Sequence, residues 1–451
     1  MNRYFFAIRT KRLLISGVAF LILSSLFKAF PVLSQDYDSD LSDEILLLSD
    51  QKPESGISPI EQLGLTGSLR GGYWSSNRLN STENDFVSNS LWLKLDKRLR
   101  RGVTLYSEAY VYSEDVLGEK SSDGQLKELY VHLRSGDWDY RLGRQIVAWG
   151  RTDRLNPTDN LTPRDLTLLS PEIDEDRLGV EAIKVSKIFG SFSSITGIWI
   201  AEFEPNNLPP ANSPGLQVRE DIPKTRGQYA LKFDQSGGDI DWSISYFNGV
   251  DLNADLALVG LVGSSLLVSK TYNDVEIFGA DVATIKGSNR YAAEVAFTKT
   301  EDSTGNDPSV KNNSIYSVFG LERDFGDNLS VTSQLFYRYV SDYEDPRQIA
   351  DLGIRSVATL SALANNQLDQ DEYGLSIRVG KSWFNETLDL EVSGANLLVR
   401  HGYLIRPKLT YAINDEIKAT AGFEYFRGGP DTLFGLQESN KLFFSELRYY
   451  F

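Results

Sequence analysis

The side chains with the clearest chemical potential cluster in one stretch, Arg144-Gln145-Ile146-Val147-Ala148-Trp149-Gly150-Arg151-Thr152-Asp153-Arg154, which runs on to Leu166. Arg144, Arg151, Arg154 and Arg164 are interspersed there with Asp153, Asp159 and Asp165, with Trp149 among them. Guanidinium and carboxylate groups at that density pair with one another or with charges elsewhere, and at a narrow point they bias which ions pass. Pro157 and Pro163 restrict the backbone and lower the entropy cost of holding the stretch in one shape. Bond-making chemistry has few candidates. The chain has no Cys, which excludes disulfides, thiolate zinc sites, iron–sulfur clusters and a Cys nucleophile. His132 and His401 are the only histidines, the first on a strand face and the second in a turn before Gly402. No G-x-S-x-G, G-x-G-x-x-G or P-loop occurs. Asp251-Leu252-Asn253-Ala254-Asp255 starts like a calcium loop, but Leu256 and Val262 stand where an EF-hand needs Gly and Glu. The expectation is a protein that is not an enzyme and carries no cofactor or metal.

The elements that must position these residues read as strands. From Thr66 onward apolar and polar residues alternate with period two. Val103, Leu105, Ala109 and Val111 alternate with Thr104, Tyr106, Glu108, Tyr110 and Tyr112; Val331, Leu335, Tyr337 and Tyr339 alternate with Thr332, Gln334 and Arg338. Successive strand residues point to opposite faces, so each segment has one apolar and one polar face. The pattern predicts an antiparallel up-and-down transmembrane β-barrel of about 18 strands, with 16 as the alternative, because single-chain bacterial barrels have even strand numbers. The count treats 401–412 and 415–427 as one piece and includes 264–272, the weakest segment. Nothing repeats as a propeller or β-helix would require. No internal run is long and apolar enough for a spanning helix, and in lipid only helices and closed barrels satisfy every backbone group.

Charges must then face the lumen. Alternation puts Glu108, Glu128, Arg134, Lys232, Glu294, Arg338, Arg378, Asp389, Glu391, Lys418, Glu424, Glu446 and Arg448 inward. A lining of both signs suits water and polar solutes; its alternative is a set of ion-pair ladders that only stiffen the wall. Alternation over 138–143 fails at Arg144, which predicts that the strand ends or bulges near Gly143. The stretch 144–166 is then expected to fold inward and constrict the pore, the alternative being an external loop with solvated charges. The long connections 150–177, 203–225 and 342–371 are expected on the outer side or inside the lumen. Residues 256–268 are apolar and glycine-punctuated. They fit a lipid-facing strand and turn, a short helix in an external loop, or a contact for a hydrophobic solute.

The ends of the chain agree with export. Residues 1–34 carry Arg3, Arg9, Lys11, Arg12 and Lys28, no acid, and an apolar Leu13–Leu26 core before Val32-Leu33-Ser34. This is the form of a secretory signal peptide, with a retained anchor as the alternative. Its removal leaves 41 bases against 62 acids, a net charge of −21, which counts against a nucleic-acid partner. Residues 35–65 form an acidic leader, with Leu41, Ile45 and Leu48 at helical spacing after Asp40, and 66–451 the barrel. Back from Phe451, the residues Tyr449, Leu447, Ser445 and Phe443 share one face; Tyr450, Arg448, Glu446 and Phe444 share the other. This resembles the C-terminal strand of outer-membrane barrels, which ends in an aromatic and is read by the barrel assembly machinery.

Leu142-Gly143-Arg144-Gln145, followed by Trp149-Gly150 and Asn156-Pro157-Thr158-Asp159, resembles the signature of a porin-like outer-membrane family of uncharacterised function. It is similar, more weakly, to the alginate-export barrels. The resemblance implies an outer-membrane channel-like barrel in contact with lipid and lipopolysaccharide, and a periplasmic export or uptake partner. The exporters use a strongly basic pore, and the −21 charge and mixed lining here depart from that. The expected function is passage of a polar, anionic-to-neutral solute or a saccharide through the lumen. The rivals are a plugged scaffold barrel that anchors surface polymer or a periplasmic partner, and a transporter of hydrophobic compounds.

Overall fold

The computed structural model describes residues 64–76, 85–116, 119–208, 215–223, 227–429 and 431–451. The expected signal peptide and nearly all of the acidic leader lie outside the described residues. In chain order the strands are β1 (Leu65–Ser76), β2 (Asp85–Arg100), β3 (Val103–Val116), β4 (Glu119–Ser135), β5 (Trp138–Gln145), β6 (Val180–Phe189) and β7 (Ser193–Ile200). Then come β8 (Leu216–Asp221), β9 (Gln228–Gln235), β10 (Asp241–Val250), β11 (Asp255–Val262), β12 (Ser265–Thr271), β13 (Asp274–Lys286) and β14 (Asn289–Lys299). The last are β15 (Ser314–Asp324), β16 (Leu329–Val340), β17 (Asp371–Trp383), β18 (Leu388–Leu397), β19 (Gly402–Ala412), β20 (Ile417–Arg427) and β21 (Leu442–Tyr450). Helices are few: α1 (Leu352–Ala364) and the single turn α2 (Leu433–Leu436).

Eighteen strands form one closed antiparallel barrel, with β8, β11 and β12 apart in a three-stranded sheet. Closure comes from β1 pairing with β21 along Ser68↔Tyr450 to Ser76↔Leu442. Beyond that ladder Gly67 and Phe451 exchange backbone hydrogen bonds at 2.9 and 3.1 Å. A Cβ on Gly67 would lie 2.6 Å from the Phe451 ring, so the terminal aromatic needs a residue without a side chain beneath it. Two boundaries differ from the sequence reading. Residues 264–272 are not barrel wall: 265–271 pairs with β11 and, in parallel, with β8. Residues 402–412 and 417–427 are separate antiparallel strands. Two turns, 398–401 and 413–416, bound β19 on either side, and an apolar run alone does not reveal such reversals. The apolar stretch 256–268 is therefore a hairpin outside the barrel. It packs under α1, where the Leu256 backbone N–H donates to Ser361 Oγ at 2.9 Å.

The alternation sorts the faces. Leu69, Val111, Ile244, Phe319, Leu335, Leu409, Phe423 and Leu447 are exposed on the outer face, while Arg70, Ser243, Asp281, Glu294, Gln334 and Arg448 are buried on the inner one. An apolar outside and a polar inside suit a barrel whose solvent is lipid without and water within. The turns 101–102, 136–137, 190–192, 236–240, 287–288, 325–328, 384–387 and 413–416 all lie at one end, which also holds the start of β1 and the C-terminus. The connections 146–179, 201–227, 251–273 and 341–370 all leave from the other end. In outer-membrane barrels the short-turn end is periplasmic. Protease added to intact cells is therefore expected to cut within 203–223 or 342–351. Cutting confined to preparations with the periplasm opened would reverse this orientation.

Candidate functional site: a strap across the lumen

The chain leaves the wall after β5. The ladder runs without a register shift past Gly143, which pairs Tyr130 on one side and Ala182 on the other. Gly143 takes φ +123°, and the strand continues to Gln145, so the break expected at Gly143 comes two residues later. Gln145 is fully buried and donates to the Ala182 carbonyl at 3.0 Å. Arg144 keeps to the outer side of the sheet, paired across strands with Leu129 and Glu181. It does not reach the lumen. Glu204 folds over it and accepts two hydrogen bonds at 2.7 and 2.9 Å, which neutralises the charge at the wall.

Residues 146–179 then form a strap whose near end is fastened by Glu294 of β14. That buried carboxylate accepts from the backbone N–H groups of Arg151 and Thr152, from Thr152 Oγ1 at 2.7 Å, from Asn156 Nδ2 at 3.2 Å and from Thr158 Oγ1 at 3.1 Å. A carboxylate has about four lone-pair sites, so Glu294 is saturated by one segment of chain. Gly150 makes this fit: its φ is +101°, and a Cβ there would stand 2.7 Å from both Glu294 oxygens. Arg151 reaches the same wall, with Nε 2.5 Å from Asp281 and Nη2 2.9 Å from Asp234. Below these polar contacts Val147, Trp149 and Leu161 pack with Val180, Ile200, Ala230, Phe247, Ile277 and Ala296 in one buried cluster, so the strap is both greased and charged to that wall.

The middle and far parts reach other strands. Asp153 accepts from Arg378 Nε of β17 at 2.9 Å, and Arg154 donates to Glu391 of β18 at 2.9 Å. Asp159 holds the strap to itself, accepting from Arg177 at 2.5 Å and Arg164 at 3.4 Å, while Arg164 also pairs Asp176 at 2.9 Å. Asp165 stays local, with Thr167 and Asn207 at 3.0 and 2.8 Å. Glu172 meets Lys408, and the Pro171 carbonyl meets Arg406, both on β19, at 2.7 and 2.6 Å. Glu175 lies between Arg70 of β1 at 2.7 Å and Arg448 of β21 at 3.1 Å. Burial disfavours its carboxylate, but the two guanidinium groups outweigh burial and hold its pKa below the usual range. One segment that bonds the inner faces of β1, β13, β14, β17, β18, β19 and β21 crosses the lumen.

The remaining lining residues are mostly spoken for. Glu108 accepts from Tyr106 at 3.0 Å, Glu128 from the Ile146 N–H at 2.7 Å, and Glu424 from Arg406 at 2.8 Å. Arg134 pairs Asp139 at 3.0 Å near the short-turn end, Lys232 pairs Asp234 at 3.2 Å, and Arg338 donates to the Asn365 carbonyl at 2.9 Å. Asp234, Asp281, Arg406 and Lys408 belong to the strap's anchorage yet were not singled out in the sequence. Alternation places them inward, but nothing local says which inward charge meets the strap. Asp251 and Asp255, the start of the calcium-like loop, face Lys311, whose ammonium lies 2.8 Å from Asp251 and 3.9 Å from Asp255. A lysine stands where that loop would hold a cation.

Replacing Gly150 with Ala should displace Glu294 and free the near end of the strap, at a cost of about 1–3 kcal/mol. The expected sign is faster protease cleavage within 151–166 of the purified barrel. Gly197→Ala, where a Cβ meets nothing within 4 Å, should leave cleavage unchanged. Equal protection in both variants would remove Glu294 from this role.

Among solved structures, Acinetobacter baumannii OccAB1 matches with a TM-score of 0.54 at 10% identity, over 89% of this chain and 99% of that one. A. baumannii OccAB3 matches with 0.52 at 12% identity, over 86% and 98%. Pseudomonas aeruginosa OpdQ matches with 0.51 at 10% identity, over 86% and 97%. These are outer-membrane porin-like barrels, and at such identities the likeness is one of fold. No curated protein matches the sequence. A family model described as "Protein of unknown function (DUF1302)" matches residues 62–433, the strap and every barrel strand but β21, and the chain therefore belongs to the DUF1302 family.

Proposed function

We propose that this protein is an outer-membrane channel whose lumen is narrowed by the strap, and that it passes a polar, anionic-to-neutral solute, a saccharide included, without bond chemistry. The observation that carries the reading is the strap itself: a charged, proline-fixed segment fastened to β13 on one side and to β1 and β21 on the other side of an 18-strand barrel. Barrels of about 16–18 strands leave an aqueous channel, so a segment across one sets the passage that remains. The narrow point is built from Arg151, Asp153 and Arg154 with Asp281, Arg378 and Glu391 around them. Export across the inner membrane by residues 1–34, and insertion through the C-terminal strand by the barrel assembly machinery, belong to the same reading.

Planar-bilayer recording tests it. Deletion of 151–166 should raise single-channel conductance severalfold. Arg151→Ala with Arg154→Ala should shift the reversal potential toward cation selectivity, because Asp234, Asp281 and Glu391 lose their partners and positive charge no longer repels cations. The strap's many contacts favour one rival, the plugged scaffold. That rival predicts no steady current from the intact protein and current only from the deletion. Unchanged conductance and reversal potential in both folded variants would defeat the constriction.

A further inference from the structure

The inner wall formed by β4 to β9 carries a juxtaposition that the strap does not use. Arg141 of β5 and Lys184 of β6 are direct cross-strand partners. Both lie on the inward side, in line with His132 of β4. Like charges directly opposite one another in a sheet repel. Asp139 attracts Lys184 and Glu128 attracts Arg141 across space, but neither carboxylate is in ion-pair contact with that cation, and each is bonded elsewhere. Asp139 is held by His132 at 2.6 Å and Arg134 at 3.0 Å. Asp234 is held by Lys232 at 3.2 Å and Arg151 at 2.9 Å. Glu128 takes the Ile146 N–H. Among the described residues Lys184 has no ion pair or hydrogen bond, and Arg141 has a buried Nε without a hydrogen-bond acceptor. Arg141 is positioned instead by the Tyr130 ring, 5.3 Å from its guanidinium carbon, and its two Nη groups make no hydrogen bond among the described residues.

We propose that Arg141 and Lys184 form an anion-binding subsite on the lumen wall, matched to a solute that carries a doubly charged oxyanion such as a phosphate group. The two Nη groups of the guanidinium offer donors to adjacent oxygens, and the ammonium offers a mobile third. Cross-strand partners stand about 5 Å apart at Cα, so both heads reach one group. A dianion compensates more of the paired positive charge than a single negative charge does. The subsite rests on the channel reading only for how the solute arrives there; binding itself can be measured without transport.

The experiment uses inorganic phosphate at pH 8 with the full-length mature barrel. In planar bilayers, phosphate should reduce the chloride current of the wild type saturably, and acetate should not. Arg141→Gln and Lys184→Met should each weaken that block at least tenfold, while Lys418→Met, on the inner face of β20, should leave it unchanged. Isothermal titration calorimetry of phosphate against the detergent-solubilised protein reads the same site without current. If no channel conducts but calorimetry keeps this variant pattern, the channel reading fails and the subsite stands. No phosphate binding to folded wild type, or binding in Arg141→Gln and Lys184→Met as tight as in the wild type, overturns the subsite.

Discussion

Pairing of β1 with β21 is the interaction on which everything else depends. Lipid offers no partner to a backbone N–H or carbonyl, so an open sheet edge in the membrane would leave a row of them unsatisfied. Closing the ladder removes both edges at once and divides the side chains by face. Leu447 and Tyr449 are turned out, and Glu446 and Arg448 are turned in. The close seat of the Phe451 ring against Gly67 belongs to the same seam. The last residue of the chain thus closes the sheet as well as ending it.

Closure also creates the problem that the strap answers. Inward alternation gathers Asp234, Asp281, Glu294, Arg378, Glu391 and Arg448 around a lumen in which some are shielded from bulk water. An ionised group removed from water needs partners, because losing one side of a buried pair leaves the other charge uncompensated. The strap supplies them in order along its length: backbone N–H groups for Glu294, Arg151 for the aspartates, Asp153 and Arg154 for β17 and β18, and Glu175 for Arg70 and Arg448. Each pair contributes little by itself. Together they fix a segment that has almost no regular secondary structure. Position is what they determine.

The end opposite the short turns follows different physics. There α1 packs over the hairpin of β11 and β12, and Lys311 joins Asp251, the Asn253 carbonyl and Asn365 at 2.8 to 3.1 Å. An ammonium held by these oxygens ties three connections together.

Period-two alternation in the sequence was enough to establish an all-β barrel and the inward side for Glu294, Arg378, Glu391 and Arg448; the even strand number came from the rule that single-chain barrels follow. Side-chain direction in a strand is a local property, and lipid makes the two faces chemically distinct. Composition alone excluded thiolate and His-rich chemistry. Which strands belong to the wall is not a local property. The apolar stretch 264–272 satisfies a strand pattern equally well in a wall or in a side sheet, and only its neighbours decide which. Arg144 shows the limit most clearly: its charge looked incompatible with an outer face until Glu204, 60 residues away, folded over it. The partners of Glu294 and the isolation of Arg141 beside Lys184 likewise depend on which strands become neighbours. Closure of the ring fixes that adjacency, and no local run of residues encodes it.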